Sequence, residues 1–205
     1  MQVLESVQTN IAFSSLLKRY TLREFWDLPE PGDRSHYELI EGVLKLVPPP
    51  SNPHGKIIAF LNRSIMSFLI QTENFGSVYH PREAIYIEDV WGTYLEPDMM
   101  FVSAELEERM GERRTSAEIV FECLSESTGV YDRTTKADTY LALGVKELWL
   151  IDSDKETVEI RNADAQDSIL FWRKRLYAKG ETAESKILED WKVSVSEIFS
   201  LQNIK

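Results

Sequence analysis

Two acidic residues stand in strand-like apolar runs, and a lysine follows the second. Asp98 comes directly after Pro97 at the head of DMMFV, and Glu122 lies inside the run EIVFECL. A carboxylate in such a run must be paired, protonated or bound to a metal. On neighbouring strands, Asp98 and Glu122 raise each other's proton affinity unless a cation comes between them. Mg2+ suits that place, since it takes hard oxygen ligands and keeps several waters; Mn2+ is the close substitute. Glu41, at the turn of YELIEG, is a candidate third carboxylate ligand. A divalent ion held this way polarises a phosphoryl oxygen and makes hydroxide available near neutral pH.

Lys136 lies in DRTTKADTY, on the segment after the Glu122 run. Its ammonium could orient an attacking water or stabilise charge on a phosphate in the transition state. Arg133 is three residues earlier and Tyr140 four later, so all three share roughly one helix face. Arg133 could hold a non-bridging phosphate oxygen. Each residue also has an ordinary reading. Asp98 suits a turn, Glu41 suits a hairpin tip beside Gly42, and Lys136 suits a solvated helix start. Tyr140, Trp149 and the lone cysteine, Cys123, read as core packing.

Other chemistries find less support. Ser125 and Ser127 lack a nucleophile-elbow context, and no glycine-rich phosphate loop is present. A glycosidase could use the Asp/Glu pair as acid and base without Lys136. The sequence lacks the run of exposed aromatics expected along a sugar groove.

These residues need elements to hold them. Thr21-Leu22-Arg23-Glu24 reads as a capping box, which starts a short helix that stops before Pro29. Residues 37–47 read as a hairpin around Glu41-Gly42, and Pro48-Pro49-Pro50 as a stiff break. Ile57, Ile58, Leu61, Ile65, Phe68 and Leu69 recur at helical spacing, which predicts an amphipathic helix over 54–71. Strands are expected at 83–87, 98–102, 118–124 and 145–151, with a hairpin of 158–161 and 169–174. Within 118–124, Val120, Glu122 and Leu124 share one face, while Ile119, Phe121 and Cys123 share the other. Both faces are apolar, as in a central strand covered on both sides. Asp132 is expected to cap a helix to Leu143 that Gly144 ends, making a strand–helix–strand crossover with 145–151. A last short helix is expected over 194–201. The order gives an α/β or α+β fold, a central mixed sheet flanked by helices. Residues 1–20 are expected to form an arm, and 21–205 a single domain.

The chain of 205 residues carries 34 acidic and 23 basic residues, a net charge of −11. This excludes a protein that coats nucleic acid by general positive charge, but leaves room for a local cationic cleft. Apolar runs are too short to span a bilayer and no signal peptide is legible, so the expected address is cytoplasmic, with no membrane partner.

Taken together, YELIEG, His54, EPDMMFV, VFECLSEST, Asp132-Arg133…Lys136…Tyr140 and Gly144-Val145…Leu148-Trp149 resemble the Uma-type family of bacterial endonucleases. That family falls in the PD-(D/E)XK superfamily and was long catalogued as a domain of unknown function. The match runs from about Thr21 to Arg161. The resemblance implies a restriction-endonuclease-like fold and Mg2+- or Mn2+-dependent DNA hydrolysis. It also implies Glu41, Asp98, Glu122 and Lys136 as the catalytic set, and His54 at the cleft edge near phosphate. A homodimer would suit double-strand cleavage. In one departure, Leu124 occupies the position where the superfamily expects its lysine, which points to Lys136 on the next helix. In another, Glu126 stands where the family often has proline. The alternative is a catalytically silent nuclease-fold module for binding or assembly.

Overall fold

Glu41 and Gly42 both take positive φ, +50° and +78°, the twist that closes a two-residue hairpin. They join β1 (His36–Ile40) to β2 (Val43–Val47) in an antiparallel pair. The computed structural model describes residues 18–50 and 52–200. Most of the arm expected over 1–20 lies outside the described residues, as does Leu201 at the end of the last expected helix. Tyr20, which is described, bridges Gly42 and Gly92 by backbone hydrogen bonds of 2.9 and 3.1 Å. After it comes α1 (Leu22–Trp26), whose capping box forms as its sequence predicts.

Helix α2 (Asn52–Gln71) begins two residues before the expected start. Pro53 fits there because the first helical amides need no partner within the helix. The buried side of α2 carries Ile57, Ile58, Leu61, Ile65 and Leu69. Each such side chain contributes about 1.5–3 kcal/mol by leaving water. Next come β3 (Ser77–Tyr79), β4 (Ile85–Glu88), β5 (Gly92–Leu95) and β6 (Met99–Val102), then α3 (Ala104–Met110) and β7 (Ile119–Leu124). A continuous helical segment follows: α4 (Gly129–Tyr131), a π turn (Asp132–Lys136) and α5 (Ala137–Ala142). Gly144, at φ +85°, ends it. The chain finishes with β8 (Glu147–Asp152), β9 (Thr157–Gln166), β10 (Ile169–Ala178), β11 (Thr182–Glu184), β12 (Lys192–Ser194) and α6 (Val195–Ser200).

A six-stranded mixed sheet runs β10-β9-β8-β7-β6-β3, and a smaller sheet runs β2-β1-β5-β4. Only β7 and β8 pair in parallel in the larger sheet, joined by the helical crossover. β7 is central and covered on both sides, as its pattern predicts. Ile119, Phe121 and Cys123 pack toward α2, Trp191 and Phe199. Val120 and Leu124 pack toward Ala137 and Tyr140.

Asp132 does not cap the helix. The segment starts earlier, at Gly129, and Asp132 falls inside the π turn, buried. The polar side chains of Ser125 and Thr128, 2.8 Å apart, make the local turn that lets helix begin there.

Candidate active site

The antiparallel register of β6 with β7 runs Met100↔Val120, then Met99↔Phe121. One step further sets Asp98 across from Glu122. A cavity of about 540 Å³ opens at these strand ends, and Asp98, Glu122, Lys136, His54 and Asp132 all line it. Pro48–Pro50 and Ser125–Thr128 form its rim.

Lys136 is the hub of the buried charges. Its Nζ lies 2.8 Å from Glu38 Oε1 and 2.8 Å from Glu122 Oε1. It also donates to the Glu96 carbonyl at 3.4 Å. The Tyr140 hydroxyl donates to the same Glu122 oxygen at 2.6 Å. Glu38 Oε1 accepts the Glu96 amide at 3.0 Å, and Oε2 accepts the Tyr131 hydroxyl at 3.1 Å. Glu38 therefore ties the smaller sheet to the helical crossover through the lysine. Burial alone would strip the proton from Lys136, but the Glu122 and Glu38 carboxylates outweigh it and hold its pKa well above the usual range. This amine stays an ammonium at any working pH, which excludes it as a proton acceptor and suits it to holding an anion.

Asp98 makes a different set of contacts. Its Oδ2 accepts the Cys123 amide at 2.7 Å, and its Oδ1 lies 3.0 Å from His54 Nε2. The thiol of Cys123 joins them: single ligand atoms of His54, Asp98 and Cys123 all lie within 4.8 Å of one another. Burial pushes the Cys123 thiol up, with the negative charge of Asp98 and Glu122 adding to it.

Acid outnumbers base here. Burial raises the Glu122 carboxyl well above the carboxylate range, against the pull of Lys136. Burial likewise holds Asp132 up at about 6, again opposed by Lys136. Glu38, Glu96, Asp98, Glu122 and Asp132 gather about this cavity with Lys136 among them, an excess of acid in a poorly hydrated place that a divalent cation would relieve. Asp98 and Glu122 offer hard oxygens on the cavity wall, so the residues fit Mg2+ or Mn2+. Asp98 can bind an ion without giving up its contacts, since each oxygen carries a second lone pair.

Glu41 is not part of this cluster. It sits exposed at the hairpin tip, where its amide donates to the Thr93 hydroxyl at 3.1 Å. Turn geometry sends it outward, and the glutamate of the same hairpin that reaches inside is Glu38. Arg133 is also drawn elsewhere. Its guanidinium pairs with Asp152 at 2.9 Å and Glu159 at 3.1 Å, on the strand-end side of the helix, and does not line the cavity.

A family model described as "Uma2: Putative restriction endonuclease" matches residues 22–196. The chain belongs to this family. A solved structure is also similar: a "putative nuclease belonging to DUF820" from Anabaena variabilis ATCC 29413. It is 20% identical, with a TM-score of 0.67, over 88% of this chain and 97% of that one. The likeness shows a shared fold, a central mixed sheet flanked by helices. No curated protein matches the chain.

Within this Uma2 chain, the sequence assigns no site role to Glu38, Tyr131 and His36, and it reads Asp132 as a helix cap rather than as a buried site carboxyl. Glu38 carried the same signal as Glu122, an acid inside a strand, in the motif YELIEG. His36 lines the cavity with its Nε2 lacking a hydrogen-bond partner; the Glu96 carboxylate is 3.7 Å away. Burial pushes its pKa down, so it is a neutral wall residue. No sequence spacing marks it.

Proposed function

We propose that the protein is a metal-dependent phosphodiesterase acting on DNA, with Asp98 and Glu122 as ligands for Mg2+ or Mn2+. The observation that carries this reading is the meeting of Asp98, Glu122 and Lys136 on one cavity wall, drawn from β6, β7 and the π turn. Membership of the family supports it. When bound, the ion would supply Lewis acidity to a phosphoryl oxygen and an activated water. Lys136 contributes a fixed positive charge, pinned by Glu38 and Glu122, where charge develops on the phosphate. Being already dehydrated and oriented, it needs no rearrangement during reaction. Tyr140 and Glu38 hold that geometry as positioning residues. His54, beside Asp98 at the mouth of the cavity, reaches a phosphate oxygen of the substrate. A volume of about 540 Å³ has room for a phosphodiester with part of its sugars.

The test is nicking of supercoiled plasmid by purified protein. Activity should require Mg2+ or Mn2+ and vanish with chelator. Asp98→Asn and Glu122→Gln should each lower the rate by about 10²-fold or more. Activity that persists with both residues replaced would overturn the assignment. A wild-type protein that neither nicks DNA nor takes up Mn2+ would instead be the silent nuclease-fold module.

A further inference from the structure

Cys123 is on the opposite face of β7 from Glu122, yet it reaches the same cavity because the strand ends there. Three donors of different character converge at that point: the His54 imidazole Nε2, an Asp98 carboxylate oxygen and the Cys123 sulfur, all within 4.8 Å of one another. They come from α2, the residue before β6, and β7, so the fold rather than one flexible loop sets their spacing. His54 Nε2 and Asp98 Oδ1 are 3.0 Å apart. In a tetrahedral zinc site the bonds are roughly 2.0–2.3 Å, which puts donors about 3.3–3.8 Å apart. The observed cluster therefore needs only small side-chain adjustments to close on an ion. Asp98 is already oriented by the Cys123 amide, which donates to its other oxygen at 2.7 Å. Such an outer hydrogen bond fixes a ligand carboxylate before the ion arrives.

We infer that His54, Asp98 and Cys123 form a second, soft metal site that takes Zn2+ or Co2+ in preference to Mg2+. Imidazole and thiolate ligands select zinc-like ions, whereas Mg2+ demands oxygen. Three protein ligands leave a fourth position open to the cavity, the pattern of an accessible zinc rather than of a sealed structural one. Binding displaces the thiol proton to solvent, and the sulfur bonds to the ion as thiolate. Asp98 is shared with the oxygen site under "Proposed function", so the two occupancies exclude each other. The site itself does not depend on nuclease chemistry.

The experiment is a titration of the full chain, first stripped with chelator, with Co2+ and separately with Zn2+. Absorbance reads thiolate-to-cobalt charge transfer, and calorimetry reads stoichiometry and affinity. One equivalent should bind, with a charge-transfer band that appears with Co2+ and disappears when Zn2+ displaces it. Cys123→Ser should abolish the band, and His54→Ala should weaken binding of either ion by more than about tenfold. Circular dichroism and melting of both variants show that they are folded. His54→Ala changes a half-buried side chain at the helix start, so it tests the site even if Cys123→Ser is unstable. Cobalt bound without a thiolate band, no uptake of either ion, or affinity unchanged in His54→Ala would each overturn the inference. Plasmid nicking is read separately, so loss of the nuclease assignment would leave this result standing, and the reverse.

Discussion

Lys136 is a buried ammonium that joins separate elements and carries the fixed charge of the proposed mechanism. Two carboxylates at 2.8 Å outweigh its desolvation, and its charge offsets part of the burial of Glu122. Replacing it with methionine leaves Glu38 and Glu122 buried without their cation. The expected cost is about 3–5 kcal/mol, read by denaturant unfolding at pH 7. Lys136→Arg should not restore it, because a planar fork does not fit between two oxygens set for a point charge. Asp132 is the opposite case, a carboxyl that the fold prefers protonated. Its folded value of about 6 lies above its ordinary value of 3.8. The folded protein therefore binds more protons than the unfolded chain between those values, and this group's contribution to stability falls as pH rises from about 4 to about 6. Asp132→Asn should raise the melting temperature at pH 7–8, by an amount on the order of 2–3 kcal/mol in stability, and the gain should shrink below pH 4. A gain that grew on acidification would contradict the assignment.

At the scale of elements, the site is built from strand ends and one widened helical turn. The π turn sets Asp132 and Lys136 inward together, where a capped α-helix starting at Asp132 would have left the acid at its exposed end. Such turns recur at functional sites. The sequence foretold the central strand β7, the amphipathic α2, the capping box and the crossover, since each rests on a repeating apolar pattern or a local cap. It did not foretell β3, β5, β11 or β12, three or four residues each, too short to show a period. The same division holds in the site. Asp98 and Glu122 stand out as charges against apolar context, whereas Lys136, in the polar run DRTTKADTY, is marked by the family resemblance. That Glu38 faces in while Glu41 faces out is not legible from YELIEG, because turn geometry, φ +50° at Glu41, decides it. The ion pairs of Arg133 are not legible in the sequence, because its acidic partners, Asp152 and Glu159, belong to later strands. The smaller sheet depends on a close approach at Gly92. A Cβ there would stand 2.7 Å from Leu39 Cδ2 and 2.9 Å from the Leu22 amide nitrogen. Gly92→Ala should cost about 1–3 kcal/mol in unfolding experiments, through strain transmitted to β1 and hence to Glu38.

For the whole molecule, a net charge of −11 opposes the approach of DNA. Nothing in that balance supplies strong non-specific affinity. Binding should therefore be weak in chelator and should tighten when divalent ion is added, as measured by fluorescence anisotropy of a labelled duplex. Under the proposed activity, a single copy using this cavity should cut one strand per encounter. Open-circular plasmid should accumulate before linear product unless two copies act together. Among the described residues, no helix is long and apolar enough to cross a membrane.

The claim on which the rest depends is that Asp98 and Glu122 share an ion beside the ammonium of Lys136. Anomalous diffraction from crystals soaked in Mn2+ tests it directly. The account predicts one strong peak in the cavity, within about 2.0–2.4 Å of an oxygen of each acid. Manganese found only at surface carboxylates, with none between Asp98 and Glu122, would contradict it.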